Sequence, residues 1–206
     1  MSDPQNPWLS RPLAATPATW DASAPPAVSR AHGPAAPQRG VPAPDRVDQL
    51  GVRDQHVVAD LWWLGAHGGA GESTFAGLVP GWQPADHLWP RDPSGAQARV
   101  VLVARSNSSG LRAAQMAMRQ WAAGLVPFVD VVGLVVNADA PGRLPRLLRD
   151  QLQVVSGGVP RTWPMPWVEQ WRLGEPATPQ SSPREVQRLV ADLRALPESG
   201  ASRTTT

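Results

Sequence analysis

Near-continuous apolar runs alternate with segments of helical period along the second half of the chain. RVVLVAR (99–105) and VDVVGLVVN (129–137) are the longest runs, and unbroken apolar character is what strands buried on both faces require. Between them, SSGLRAAQMAMRQWAAG repeats Leu111, Ala114, Met118, Trp121 and Ala122 at helical spacing. Strand, helix and strand at this length predict a βαβ unit, and so a parallel sheet with helices on both faces. Upstream, VVADLWWLGA (57–66) is a β-branched and aromatic run ending in glycines, which predicts one more strand.

Downstream, Leu144, Leu147, Leu148, Leu152 and Val155 form the apolar stripe of a helix over 143–155, stopped by Gly157 and Gly158. RTWPMPW (161–167) predicts a short last strand running into a loop. Ser182, Pro183, Arg184 and Glu185 spell a capping box with proline at the first helical position. The helix they open buries Val186, Leu189, Val190, Leu193 and Leu196. The organisation expected is an arm over 1–50, a three-layer α/β domain over 51–197 and a frayed tail over 198–206.

The arm is set apart by composition. Ten of the 24 prolines fall in the first 46 residues, among alanines and serines without apolar periodicity. Such a segment buries too little surface to offset chain entropy, which predicts disorder. Trp8 and Trp20 are unusual there; they are stray aromatics of a tail or the anchor of a short docking segment.

Charge and cysteine content narrow the classes. No cysteine occurs, which excludes disulfides and thiolate metal sites and fits a reducing compartment. The chain shows no secretory leader and no apolar stretch of membrane-spanning length, so the expectation is a cytoplasmic protein without a membrane partner. All 19 basic residues are arginine. The pI of 10.7 beside a formal charge of only +2 therefore reflects the arginine pKa and says little about nucleic acid.

The candidate chemistry lies at GAHGGAGEST (65–74). A strand that ends in glycines and turns into a helix gathers backbone N–H groups at the positive end of the helix dipole, an arrangement suited to anions. HGGAGEST resembles the variant Walker A loop of the MinD/ParA group of P-loop ATPases, Lys-Gly-Gly-x-Gly-Lys-Ser/Thr. His67 falls at the signature lysine, Gly68, Gly69 and Gly71 at the glycines around Ala70, Glu72 at the phosphate lysine, and Ser73, beside Thr74, at the magnesium hydroxyl. RVVLVARSNSSGLRAAQ is similar to the strand and helix after the group's Walker B region. VVGLVVN is similar to the next strand, with Asn137 at its base-contacting asparagine, and WPMPWVEQWRLGEP to its base-side loop. The chain also resembles an uncharacterised actinobacterial protein family found on mobile elements. The resemblance implies a shortened MinD/ParA-like P-loop fold, with ATP or GTP and magnesium as ligand and a partner protein or a second copy as the working assembly.

Departures from that pattern are as informative. Both lysines of the motif are missing, and no lysine elsewhere can replace them. Only 25 residues separate Ser73 from Arg99, too few for the group's switch region and Walker B strand. RVVLVAR ends in arginine where a magnesium-holding aspartate is expected, and Asp86 and Asp92 lie in a connector with no predicted strand behind them. A carboxylate about 4 Å from a phosphate is repelled by about 4 kcal/mol per unit charge at an effective dielectric near 20, whereas the first helical turn favours it by about 0.3–1 kcal/mol. Glu72 thus suits an empty loop, and the sequence predicts a degenerate, non-hydrolysing P-loop protein with no catalytic residue and no protein-held metal. A nucleotide-binding protein or weak NTPase that draws its cation from His67 or an arginine is the alternative. On this reading Glu72→Lys opens the loop to nucleotide.

Other chemistries are weaker. GESTF places Phe75 where a nucleophile elbow needs glycine. His32, His56, His67 and His87 lack metal-ligand spacing. Arg143, Arg146 and Arg149 form a basic row, which is a solvated helix face or a nonspecific nucleic-acid contact of a DNA-associated accessory factor. Trp163, Trp167 and Trp171 read as core filling and loop anchoring more than as a stacking platform.

Overall fold

The structure is a computed structural model that describes residues 33–196. The disorder expected of residues 1–32, the roles weighed for Trp8 and Trp20, and the frayed tail lie outside the described residues.

Strand β1 (Val52–Asp54) is followed by β2 (Leu61–Gly65), α1 (Glu72–Ala76), β3 (Trp82–Pro84), β4 (Trp89–Arg91) and β5 (Ala98–Arg105). Then come α2 (Ser108–Ala122), β6 (Val129–Asn137), α3 (Arg146–Ser156), β7 (Thr162–Met165), α4 (Glu169–Arg172) and α5 (Arg184–Ala195). Five strands form one sheet in the order β3-β2-β5-β6-β7, with every neighbouring pair parallel. β1 and β4 make a separate parallel pair. Arg91 Nε donates to Asp54 Oδ1 across that pair and holds the Asp54 carboxyl below its ordinary range. Both groups are about half exposed, so the pair adds little stability.

The apolar runs alternate sides as the pleat demands. Trp62, Leu64, Val100, Leu102, Leu134 and Val136 meet Leu111, Ala114, Met118 and Trp121 of α2 on one face. Leu61, Trp63, Val101, Val103 and Val135 meet Phe75 of α1 and Val186, Leu189, Val190 and Leu193 of α5 on the other. Trp63 stacks on Phe75 at 4.9 Å between ring centroids, and Trp163 lies over Gly133, where a Cβ would come within 2.5 Å of the indole. The three-layer α/β domain with a parallel sheet is therefore present.

Four local expectations change. The connector carries β3 and β4, so strands do stand behind Asp86 and Asp92. Each is three residues long and contains a proline, so neither carries a strand period in the sequence. Ser182 does not cap α5; its hydroxyl donates to the Thr178 carbonyl, and Pro183 occupies the N-cap position. Helix α3 buries only Val155 of its predicted stripe, leaving Leu147 exposed and Leu144, Leu148 and Leu152 half-buried. Arg143 precedes α3 in the loop, so the basic row is not one helical face.

Residues 33–50, assigned to the arm by composition, lie against the domain. Gln38 N–H donates to the Ala122 carbonyl, and Arg119 donates to the carbonyls of Pro42 and Ala43. Buried Gln120 holds this segment and the connector together. Its Oε1 accepts from Leu50 N and from Trp89 Nε1, each at 2.9 Å, and its Nε2 donates to the Leu50 carbonyl at 2.8 Å. Replacing Gln120 by leucine strands those groups in an apolar setting and is expected to cost about 2–4 kcal/mol. Urea unfolding of the full chain checks this, with Gln120→Glu, which keeps the acceptor, losing less.

Candidate functional site

The loop of 66–71 stands at the point where the sheet changes direction. After β2 the chain passes to the α1 face, and after β5 it passes to the α2 face, which opens a crevice between the carboxyl ends of β2 and β5. Ligands of open parallel sheets bind in such crevices. Gly69 and Gly71 take φ of +74° and +108°, the left-handed region that turns the chain into α1. Buried Asn137, at the end of β6, donates from Nδ2 to the Ala70 carbonyl at 2.8 Å. A Cβ on Gly71 would lie 2.7 Å from that nitrogen, so glycine is needed for this contact. Asn137 thus braces the loop from beneath, and its amide nitrogen is committed there rather than presented to a base.

Two side chains span the crevice. The Arg105 N–H donates to His67 Nε2 at 3.1 Å, and His67 Nδ1 lies 2.9 Å from the Gly68 carbonyl. Both ring nitrogens of His67 thus face backbone groups of this chain. The Arg105 guanidinium donates from Nε to the Gly69 carbonyl at 3.1 Å and from Nη1 to the Ala138 carbonyl at 3.3 Å. Arginine at the end of β5, read from sequence only as a missing aspartate, thereby ties the glycine loop to the loop after β6.

Glu72 has a different occupation from any phosphate-facing group. It is only 5% exposed. Its Oε2 accepts from Gly65 N at 2.5 Å and from His87 N at 3.4 Å, and its Oε1 accepts from Asp86 N at 2.7 Å. The His87 ring contributes as well, with Nδ1 at 3.1 Å from both Glu72 Oε2 and the Gly65 carbonyl. Asp86 and His87 have φ of 55° and 60°, a left-handed pair that disfavours side chains by about 1–2 kcal/mol per residue. This conformation aims two successive N–H groups at one carboxylate, and charge-assisted hydrogen bonds of about 1.5–3 kcal/mol each offset the strain.

Ser73 is exposed and Thr74 half-buried on α1, a helix of five residues. So short a helix offers a weak dipole compared with the long helix the resemblance implies. Asp86 pairs with Arg53 at 2.8 Å, and no cluster of three metal-ligating side chains occurs among the described residues. Trp167, Trp171 and Trp163 anchor their loop and core. Trp163 Nε1 donates to Asp192, Trp171 packs edge-on against Phe75, and Arg172 lies over Trp167.

Glu72→Lys would place a cation against three N–H donors that now share an anion. The expected result is a loss of about 3 kcal/mol or more of stability, with no nucleotide affinity gained, in contrast to the opening of the loop anticipated from sequence. Glu72→Gln, which keeps one acceptor oxygen, should lose less. Denaturant titration of both variants, followed by a nucleotide titration of whichever remains folded, measures the two effects.

No curated protein and no solved structure matches the chain. A protein family does match, over residues 59–190, from just before β2 into α5 and across the glycine loop, the crevice and the connector. That span exceeds half of the chain, and the protein belongs to the family of unknown function DUF6668.

Proposed function

We propose that the protein is a non-hydrolysing, P-loop-like domain of MinD/ParA type whose glycine loop serves as a structural hinge between sheet and connector, and which acts through a partner protein. The observation that carries this reading is the Glu72 carboxylate, saturated by the N–H groups of Gly65, Asp86 and His87. At the lysine position of an active loop, this chain has an anion used to fold its own connector. The exposed Leu147 and Val154, seven residues apart on α3, support a protein partner or a second copy. An accessory role in a mobile-element or ParA/MinD-type system is the setting that fits a domain of this kind.

A second reading has one specific observation in its favour. The N–H groups of Gly68, Gly69 and Gly71 make no hydrogen bond to a protein acceptor among the described residues, and the Arg105 guanidinium lies beside them. ATP or GTP with magnesium, held by those amides and Arg105, would make the protein a nucleotide binder that lacks hydrolysis.

Calorimetric titration of the full chain with ATP and with GTP, each with and without magnesium, separates the two. The first reading predicts no saturable binding tighter than about 1 mM. Saturable binding that is lost in Arg105→Ala would establish the second. Turnover of ATP above background that depends on magnesium and Ser73 would contradict both.

A further inference from the structure

Helix α3 buries a single side chain, Val155, and an apolar cleft of about 240 Å³ lies between it and the carboxyl ends of β6 and β7. Val136, Leu144, Leu148, Leu152, Pro164 and Met165 line it. Val136, Leu148 and Leu152 belong to the core on the α2 side of the sheet, whereas the glycine loop leads into α1 on the other side. The cleft is therefore separate from the crevice of the candidate site, and what it binds does not depend on either reading of the glycine loop.

We infer that the cleft binds a small, neutral, hydroxylated hydrocarbon, the size of a phenyl ring on a short chain, with its hydroxyl between Asp139 and Arg143. Volume sets the size. The cleft falls below the roughly 300–1,000 Å³ of ordinary small-molecule sites. A dry apolar cavity of about 150 Å³ already admits benzene, so the space here takes one ring and a short substituent. Leu144, Leu148 and Leu152 are left half-buried by the folded domain, and covering them supplies the driving force.

Charge sets the polar end. Asp139 and Arg143 lie on the loop between β6 and α3, and both line the cleft. Asp139 Oδ1 accepts from Asn107 Nδ2 at 3.0 Å, while its second oxygen accepts no hydrogen bond among the described residues. Arg143 is exposed and forms no ion pair among the described residues. The other charges nearby are engaged: Arg146 pairs with Asp150 at 3.9 Å, and Arg149 donates to the Leu144 carbonyl at 3.3 Å. A charged ligand drawn to one of Asp139 and Arg143 is repelled by the other. A hydroxyl, donor and acceptor at once, satisfies both.

Titration of the full chain with 2-phenylethanol tests the site, read by carbon-13 at the methionine methyl groups. Met165 lines the cleft, and Met116 lies on α2 outside it. The expected result is a saturable movement of the Met165 signal, with Met116 unmoved and a Kd of about 1 mM or tighter, within reach of a ligand of about nine heavy atoms. Phenylacetate and 2-phenylethylamine, charged analogues of similar shape, should bind at least about tenfold more weakly. Asp139→Asn combined with Arg143→Gln should weaken the alcohol about threefold or more while leaving ethylbenzene binding unchanged. Leu148→Phe, which fills the cleft, should abolish the movement; circular dichroism checks its fold, and Leu152→Phe is the second filling variant. The inference is overturned by a Met165 signal that does not saturate, by movement that persists in the filled variants, or by charged analogues that bind as tightly as the alcohol. Equal loss of alcohol and ethylbenzene in the double variant would likewise overturn the assignment of the hydroxyl.

Discussion

A single buried carboxylate organises this domain. Glu72 lies at the first turn of a five-residue helix, yet its hydrogen bonds reach the end of β2 and the first residues beyond β3. An ionised group removed from water is tolerated only when several donors compensate it, and the chain supplies three backbone N–H groups. Two of them belong to residues whose left-handed backbone would otherwise be unfavourable. The loop, the short helix and the connector are therefore mutually dependent. The same dependence explains how a 25-residue connector between Ser73 and Arg99 holds an edge strand in register with β2.

The crevice at the change of sheet direction follows from this arrangement. His67 and Arg105 link its two sides through groups that a phosphate-binding loop would leave for its ligand. Asn137 secures the underside. Each of these positions retains the polarity expected of a ligand site while making contacts within the chain.

The layers of the fold were legible in sequence, and the reasons are local. β5 and β6 are eight- and nine-residue runs buried on both faces, and α2 between them has a clear apolar stripe. β3 and β4 were not legible, because three-residue strands carry no periodicity and Pro84 and Pro90 argue against strand. At the candidate site, the glycine positions and the anomaly of Glu72 could be read directly. Its partners could not, since Asp86 and His87 are 14 and 15 residues away and contribute backbone N–H groups that any sequence possesses. The roles of Arg105 and Gln120 depend on contacts 36 and 70 residues distant. The stripe of α3 misled for a related reason: its period is helical, but of its positions only Val155 is buried in the folded domain.

The central claim is that the Glu72 carboxylate is held by the N–H groups at the end of β2 and in the connector. Amide hydrogen exchange of the full chain, read at Gly65 and Asp86 with and without ATP and magnesium, tests it most directly. The account predicts that both amides exchange only on global unfolding and that nucleotide leaves their rates unchanged. Exchange at the rate of an open loop, or rates that change when nucleotide is added, would contradict it.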